Sequence, residues 1–98
     1  MPKAYMVVQY QSLSKPDKLE AYAKLAGPAV QAHGGRFLVR GKPVKTYEAG
    51  KLERVVVVEF PSVEKARAAY EGADYAKALA ALGTDAAVRD MRIVEGFE

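Results

Sequence analysis

Arg54-Val55-Val56-Val57-Val58-Glu59-Phe60-Pro61-Ser62 is the stretch on which the fold turns. β-Branched and aromatic residues fit the pleated, half-buried surface of a sheet, so this run reads as a strand. Pro61 stops it, having no N–H for the ladder, and Ser62 is suited to capping a helix that starts at once. The valines do not alternate with polar residues. Both faces of the strand are apolar, which is unusual for an antiparallel sheet with helices on one side only.

Working outward from it, Val63, Ala66, Ala69 and Tyr70 give the following helix an apolar face. A second helical piece around Asp74 to Leu82 carries Tyr75, Ala78, Leu79 and Leu82. Gly83-Thr84-Asp85 is loop, and Val88 to Phe97 reads as a last strand. Upstream, Ala4 to Gln11 (AYMVVQYQ) is a strand without a breaker. Ser12 to Asp17 turns into a helix, with Ser14 as its N-cap, Pro16 in the first turn and Asp17 at the positive end of the dipole. Leu19, Tyr22, Ala23, Ala26, Val30 and His33 recur along one face of that helix. Pro28 removes a donor and crowds the preceding turn, so a kink or break is expected at Gly27-Pro28. Gly34-Gly35 ends the element, and Arg36 to Tyr47 reads as a strand bent near Gly41-Lys42-Pro43.

The order is strand, helix, strand, strand, helix, strand. Two right-handed β-α-β halves give an α+β, ferredoxin-like βαββαβ domain over residues 1–98: a four-stranded antiparallel sheet with two helices on one face. The valine strand and the first strand, with Met6-Val7-Val8, then lie side by side at its centre. An exposed valine-rich centre is an apolar patch that soluble monomers rarely show. The simplest cover is the same face of a second copy, so a homodimer through the open sheet face is expected.

Composition excludes several classes. Ninety-eight residues suit one domain, single domains commonly running about 100 to 150. A hydrophobic content of 50% excludes disorder. No run approaches the roughly 18 apolar residues of a membrane span. The start, Met1-Pro2-Lys3-Ala4-Tyr5, does not read as a signal peptide, and the lack of cysteine fits a reducing cytoplasm. The charge of +3 is scattered from Lys3 to Arg92 without a basic stripe or stacking platform, so no nucleic-acid partner is expected.

His33-Gly34-Gly35-Arg36-Phe37-Leu38-Val39-Arg40-Gly41, then Glu53 to Ser62, then Ala69-Tyr70 and Asp74-Tyr75 resemble the domain of unknown function 1330 family over nearly the whole chain. That resemblance implies a dimeric α+β barrel, in a superfamily that includes cofactor-free monooxygenases and heme-degrading relatives, and it implies no settled activity. Lys42 stands where the family often has a second glycine. Ala69 stands where members often carry tryptophan.

Candidate site residues start with Glu59, which by strict alternation shares a face with Val55 and Val57. Arg36 and Arg40 lie at matching parity on the preceding strand, and Gln9 falls on the neighbouring central strand. One reading makes Glu59 a base and Arg40 the holder of an anionic or carbonyl-bearing ligand. The other, which is preferred, is a structural Glu59–Arg40 ion pair. His33 could cap a helix end or act as a base or heme ligand, and the capping role is preferred. A lone histidine without cysteine gives no metal site. Of the tyrosines, Tyr70 and Tyr75 are the candidates for lining a pocket. Gly34-Gly35 follows a helix and precedes a strand, the reverse of a phosphate loop, and no cofactor is expected. The function that fits is binding of a small apolar or aromatic ligand. The alternative is a cofactor-independent enzyme, monooxygenase-, isomerase- or decarboxylase-like, acting on an aromatic or carbonyl compound.

Overall fold

The computed structural model describes residues 2–97. Strand β1 (Ala4–Leu13) leads into helix α1 (Pro16–Ala32), then β2 (Arg36–Gly41) and β3 (Val55–Phe60). Two short helices follow, α2 (Val63–Glu71) and α3 (Ala73–Leu82), and β4 (Ala87–Glu95) closes the sheet. The strand order is β2-β3-β1-β4, all neighbours antiparallel, so the valine strand and β1 are central as the sequence implied.

The pleat sorts the side chains cleanly. Ala4, Met6, Val8 and Tyr10 of β1, with Val58 and Phe60 of β3, turn toward the helices and are buried with Leu19, Tyr22, Ala26, Val30, Ala66 and Tyr75. Tyr5, Val7 and Gln9 lie on the other face, in register with Glu59, Val57 and Val55. Three cross-strand rows cover that open face: Arg36–Glu59–Tyr5–Val94, Val39–Val57–Val7–Arg92 and Gly41–Val55–Gln9–Asp90. Its middle row is valine across three strands, with Val39 47% exposed.

Four local expectations are corrected. Helix α1 runs through Pro28 as one 17-residue element. Pro28 sits on the solvent side, where water can take over the carbonyl that loses its partner. Ser14 is not the N-cap. Lys15 holds that position, and the Ser14 hydroxyl donates instead to the carbonyls of Asp85 (2.8 Å) and Ala86 (3.1 Å), tying the start of α1 to the entry of β4. Strand β2 stops at Gly41, and residues 42–54 form a loop. The irregularity in β2 lies at Leu38, between Phe37 and Val39, not at Gly41–Pro43. One extra residue there turns every later side chain of the strand to the opposite face.

Two other readings of the sequence correspond to what is seen. Ser62 caps α2, accepting from the Lys65 N–H at 3.2 Å. Gly34 closes α1 at φ +84°, the left-handed region that favours glycine, and Gly35 packs so tightly on Phe60 and Val30 that no side chain fits. No helix among the described residues is long and apolar enough to cross a membrane.

Candidate functional site

A cavity of about 40 Å³ lies between α1 and the helix-facing side of the sheet. Its floor is apolar: Met6 and Val8 of β1, Val56 and Val58 of β3, and Phe37 of β2. Leu19, Ala26 and Val30 of α1 roof it. These side chains converge because the even-numbered residues of both central strands share a face, and α1 presents its apolar stripe to them.

One end of the cavity is polar. Tyr10 from β1, Tyr22 from α1, Tyr75 from α3 and Arg89 from β4 meet there, with Arg54 just ahead of β3 and Arg40 of β2 beside them. The register brings the strand residues together. Arg40 is opposite Val56, Val8 and Met91 in one row, while Tyr10 faces Arg89 in the next and donates its backbone N–H to the Arg54 carbonyl at 3.0 Å. Tyr22 and Tyr75 share a hydroxyl–hydroxyl hydrogen bond, their rings edge to face at 5.9 Å. Arg89 donates from Nη1 to the Tyr22 oxygen at 2.9 Å, and its guanidinium lies 4.7 Å from the Tyr22 ring centroid and 5.8 Å from that of Tyr10. Arg54 Nε is buried and has no hydrogen-bond partner among the described residues.

The electrostatics follow from burial. Removal from water raises the pKa of Tyr75, and the neighbouring Tyr22 adds to the effect, so Tyr75 stays a neutral phenol at ordinary pH. Burial raises Tyr10 as well, against the pull of Arg89. For Arg89, burial opposes the charge, but the surrounding tyrosine oxygens outweigh it and the pKa is raised. The cavity therefore ends in arginines and neutral phenols, and no Asp or Glu among the described residues lines it.

The residues singled out from sequence fall in different places. Tyr75 lines the cavity and is 2% exposed. Tyr70 stacks against the Tyr75 ring at 4.9 Å but lines a shallow groove with Met6, Met91, Arg92 and Ile93 instead. Glu59, Arg36 and Gln9 share the open face, as parity implied. Arg40 does not join them. The bulge at Leu38 places it on the cavity face, over the Phe37 ring at 5.1 Å, so the expected Glu59–Arg40 pair is not formed. Glu59 instead meets Lys3 Nζ and accepts from the Tyr5 hydroxyl, both at 3.5 Å. Gln9 borders a surface depression with Pro43, Thr46 and Lys51 of the β2–β3 loop. His33 stands at the C-cap of α1, its Nδ1 bonded to the Ala29 carbonyl at 3.0 Å. No group of three or more His, Cys, Asp or Glu among the described residues could hold a metal ion.

Sequence reasoning missed Tyr10, Tyr22, Arg54 and Arg89 as site residues. Parity alone carried a signal for two of them, since Tyr10 continues the Met6–Val8 face. Arg89 is a charged residue in a strand whose partner across the ladder is a buried tyrosine.

A four-stranded antiparallel sheet covered by helices on one side, with a small, partly open cavity beneath the first helix, is an α+β domain of ferredoxin-like order. The chain belongs to the family described as Domain of unknown function (DUF1330), whose model matches residues 3–97. No curated protein sequence matches it. Its fold is similar to that of a protein of unknown function from Rhodopseudomonas palustris, at a TM-score of 0.72 and 16% identity, over 99% of this chain and 84% of that one. It is also similar to SnoaB, a cofactor-independent oxygenase from Streptomyces nogalater, at a TM-score of 0.67 and 12% identity, over 100% of this chain and 96% of that one. Identities this low speak to the fold alone.

Proposed function

We propose that this chain binds a small organic molecule in the cavity beneath α1, and does so as a homodimer joined through the open sheet face. The observation that carries the binding reading is an apolar cavity ending in Tyr22, Tyr75 and Arg89, the arrangement expected of small-molecule sites: a greasy body with a few convergent polar groups. The dimer is supported by the Val39–Val57–Val7 row, which a single copy leaves without cover. In this reading Glu59, Arg36 and Gln9 belong to the interface, Arg40 to the rim of the cavity, Tyr75 to its polar end with Tyr70 packed behind it, and His33 to the end of α1.

A second reading draws on the fold shared with SnoaB: a cofactor-independent enzyme acting on an aromatic or carbonyl compound. Tyr75, protonated through the neutral range, would serve as a hydrogen-bond donor or acid, not as a base. Size bears against an aromatic substrate. A ring occupies a cavity of about 150 Å³ in known cases, so α1 would have to lift from the sheet to admit one.

Native mass spectrometry on protein purified without denaturing steps tests the proposal. The expected result is a dimer, carrying a reproducible added mass or taking one up from a panel of small acids, amides and aromatics. A monomer overturns the interface, and an empty dimer that takes up nothing overturns the binding site. Turnover of any panel member would favour the enzyme reading.

A further inference from the structure

Three arginines, Arg40, Arg54 and Arg89, line one small cavity, and no carboxylate among the described residues does. Arg89 spends one donor on the neutral Tyr22 hydroxyl, which balances no charge. Arg54 holds a buried Nε–H with no acceptor. The Tyr22–Tyr75 pair owns two hydroxyl protons and uses one between its members, so one remains to be given. Donors at this end thus outnumber the acceptors the tyrosine oxygens offer. Charged donors are costly to desolvate without a counter-charge, and a planar oxyanion is what a guanidinium fork fits best.

Resting on the binding reading above, we propose that the ligand is a short-chain monocarboxylate. Its carboxylate takes the free donors of Arg54, Arg89 and the tyrosine pair, and its alkyl body lies on Val8 and Val56. The volume sets the size. About 40 Å³ admits around three water-sized groups, an acid of about two carbons, and not a ring. The apolar floor argues against a free inorganic anion, some of whose oxygens it would leave without donors.

The test pairs acetate with acetamide, close in shape but neutral, and adds inorganic phosphate. Binding is followed by calorimetry and by the ¹⁵N–¹H resonance of Arg54 Nε. Acetate is expected to bind about ten- to a hundred-fold more tightly than acetamide and to shift the Arg54 Nε–H signal downfield. Arg54→Gln and Arg89→Lys should each weaken acetate by about ten-fold or more while leaving the amide spectrum folded. Equal affinity for acetate and acetamide would overturn the carboxylate assignment and leave the small-molecule site standing. Phosphate binding as well as acetate would overturn the alkyl subsite. If neither organic probe binds and the folded wild-type spectrum does not change, both the assignment and the reading beneath it fall.

Discussion

The hydroxyl pair at the end of the cavity makes a quantitative prediction about stability. Tyr22 is 9% exposed and Tyr75 2%, and their hydroxyls are bonded to each other. Tyr22 has a second partner, Arg89 at 2.9 Å, and no further partner is seen for Tyr75 among the described residues. Tyr75→Phe therefore removes one hydrogen bond and orphans nothing, since Tyr22 keeps Arg89. Such a loss amounts to about 0.5–1.5 kcal/mol. Tyr22→Phe strands the buried Tyr75 hydroxyl and takes an acceptor from Arg89, and an unsatisfied buried group costs about 1–3 kcal/mol. In the double variant the stranded hydroxyl is gone as well. It should be no less stable than Tyr22→Phe alone, with a coupling energy of ~1 kcal/mol. Denaturant unfolding at pH 7 measures all four proteins, at one protein concentration because the stability of the proposed dimer depends on it. Additivity of the two single changes to within about 0.5 kcal/mol would refute the pairing.

Three further outcomes follow from the same geometry. A Cβ on Gly35 would sit 2.8 Å from the Val30 carbonyl oxygen and 2.9 Å from Phe60 Cε1, both in tightly packed surroundings. Gly35→Ala should cost about 1–3 kcal/mol and lower the melting temperature by several degrees, and an unchanged melting curve would contradict the packing. Burial holds Tyr75, and to a lesser degree Tyr10, above the ordinary tyrosine value of 10.0. Below that value folded and unfolded chains are equally protonated. Above it the unfolded chain ionises first, so stability should fall as pH climbs past about 10, and less steeply in Tyr75→Phe; midpoints from a denaturant series at rising pH decide it. Val57→Glu places a carboxylate in the middle of the open valine row and should convert the proposed dimer to monomer in sedimentation velocity, with the helical signal retained. A variant that stays dimeric would move the interface elsewhere.

What the sequence determined by itself was the frame. Two strands apolar on both faces had to be central in the sheet, and they are. Their turn residues and caps, Pro61-Ser62 and Gly34-Gly35 above all, set where the helices begin and end. Strand parity put Glu59 on the open face and Val58 in the core because the pleat repeats every two residues. That same period made the reading fragile in β2. Nothing local announces the extra residue at Leu38, yet it moves Arg40 from one face of the sheet to the other and dissolves the expected pair with Glu59. The site was the least legible part. Tyr22 and Tyr75 stand 53 residues apart, Tyr22 and Arg89 67 apart, on a helix, a second helix and an edge strand. Each residue taken alone looks like packing or surface. Their meeting depends on how α1 and α3 settle on the sheet, and that is decided by long-range packing of the whole core.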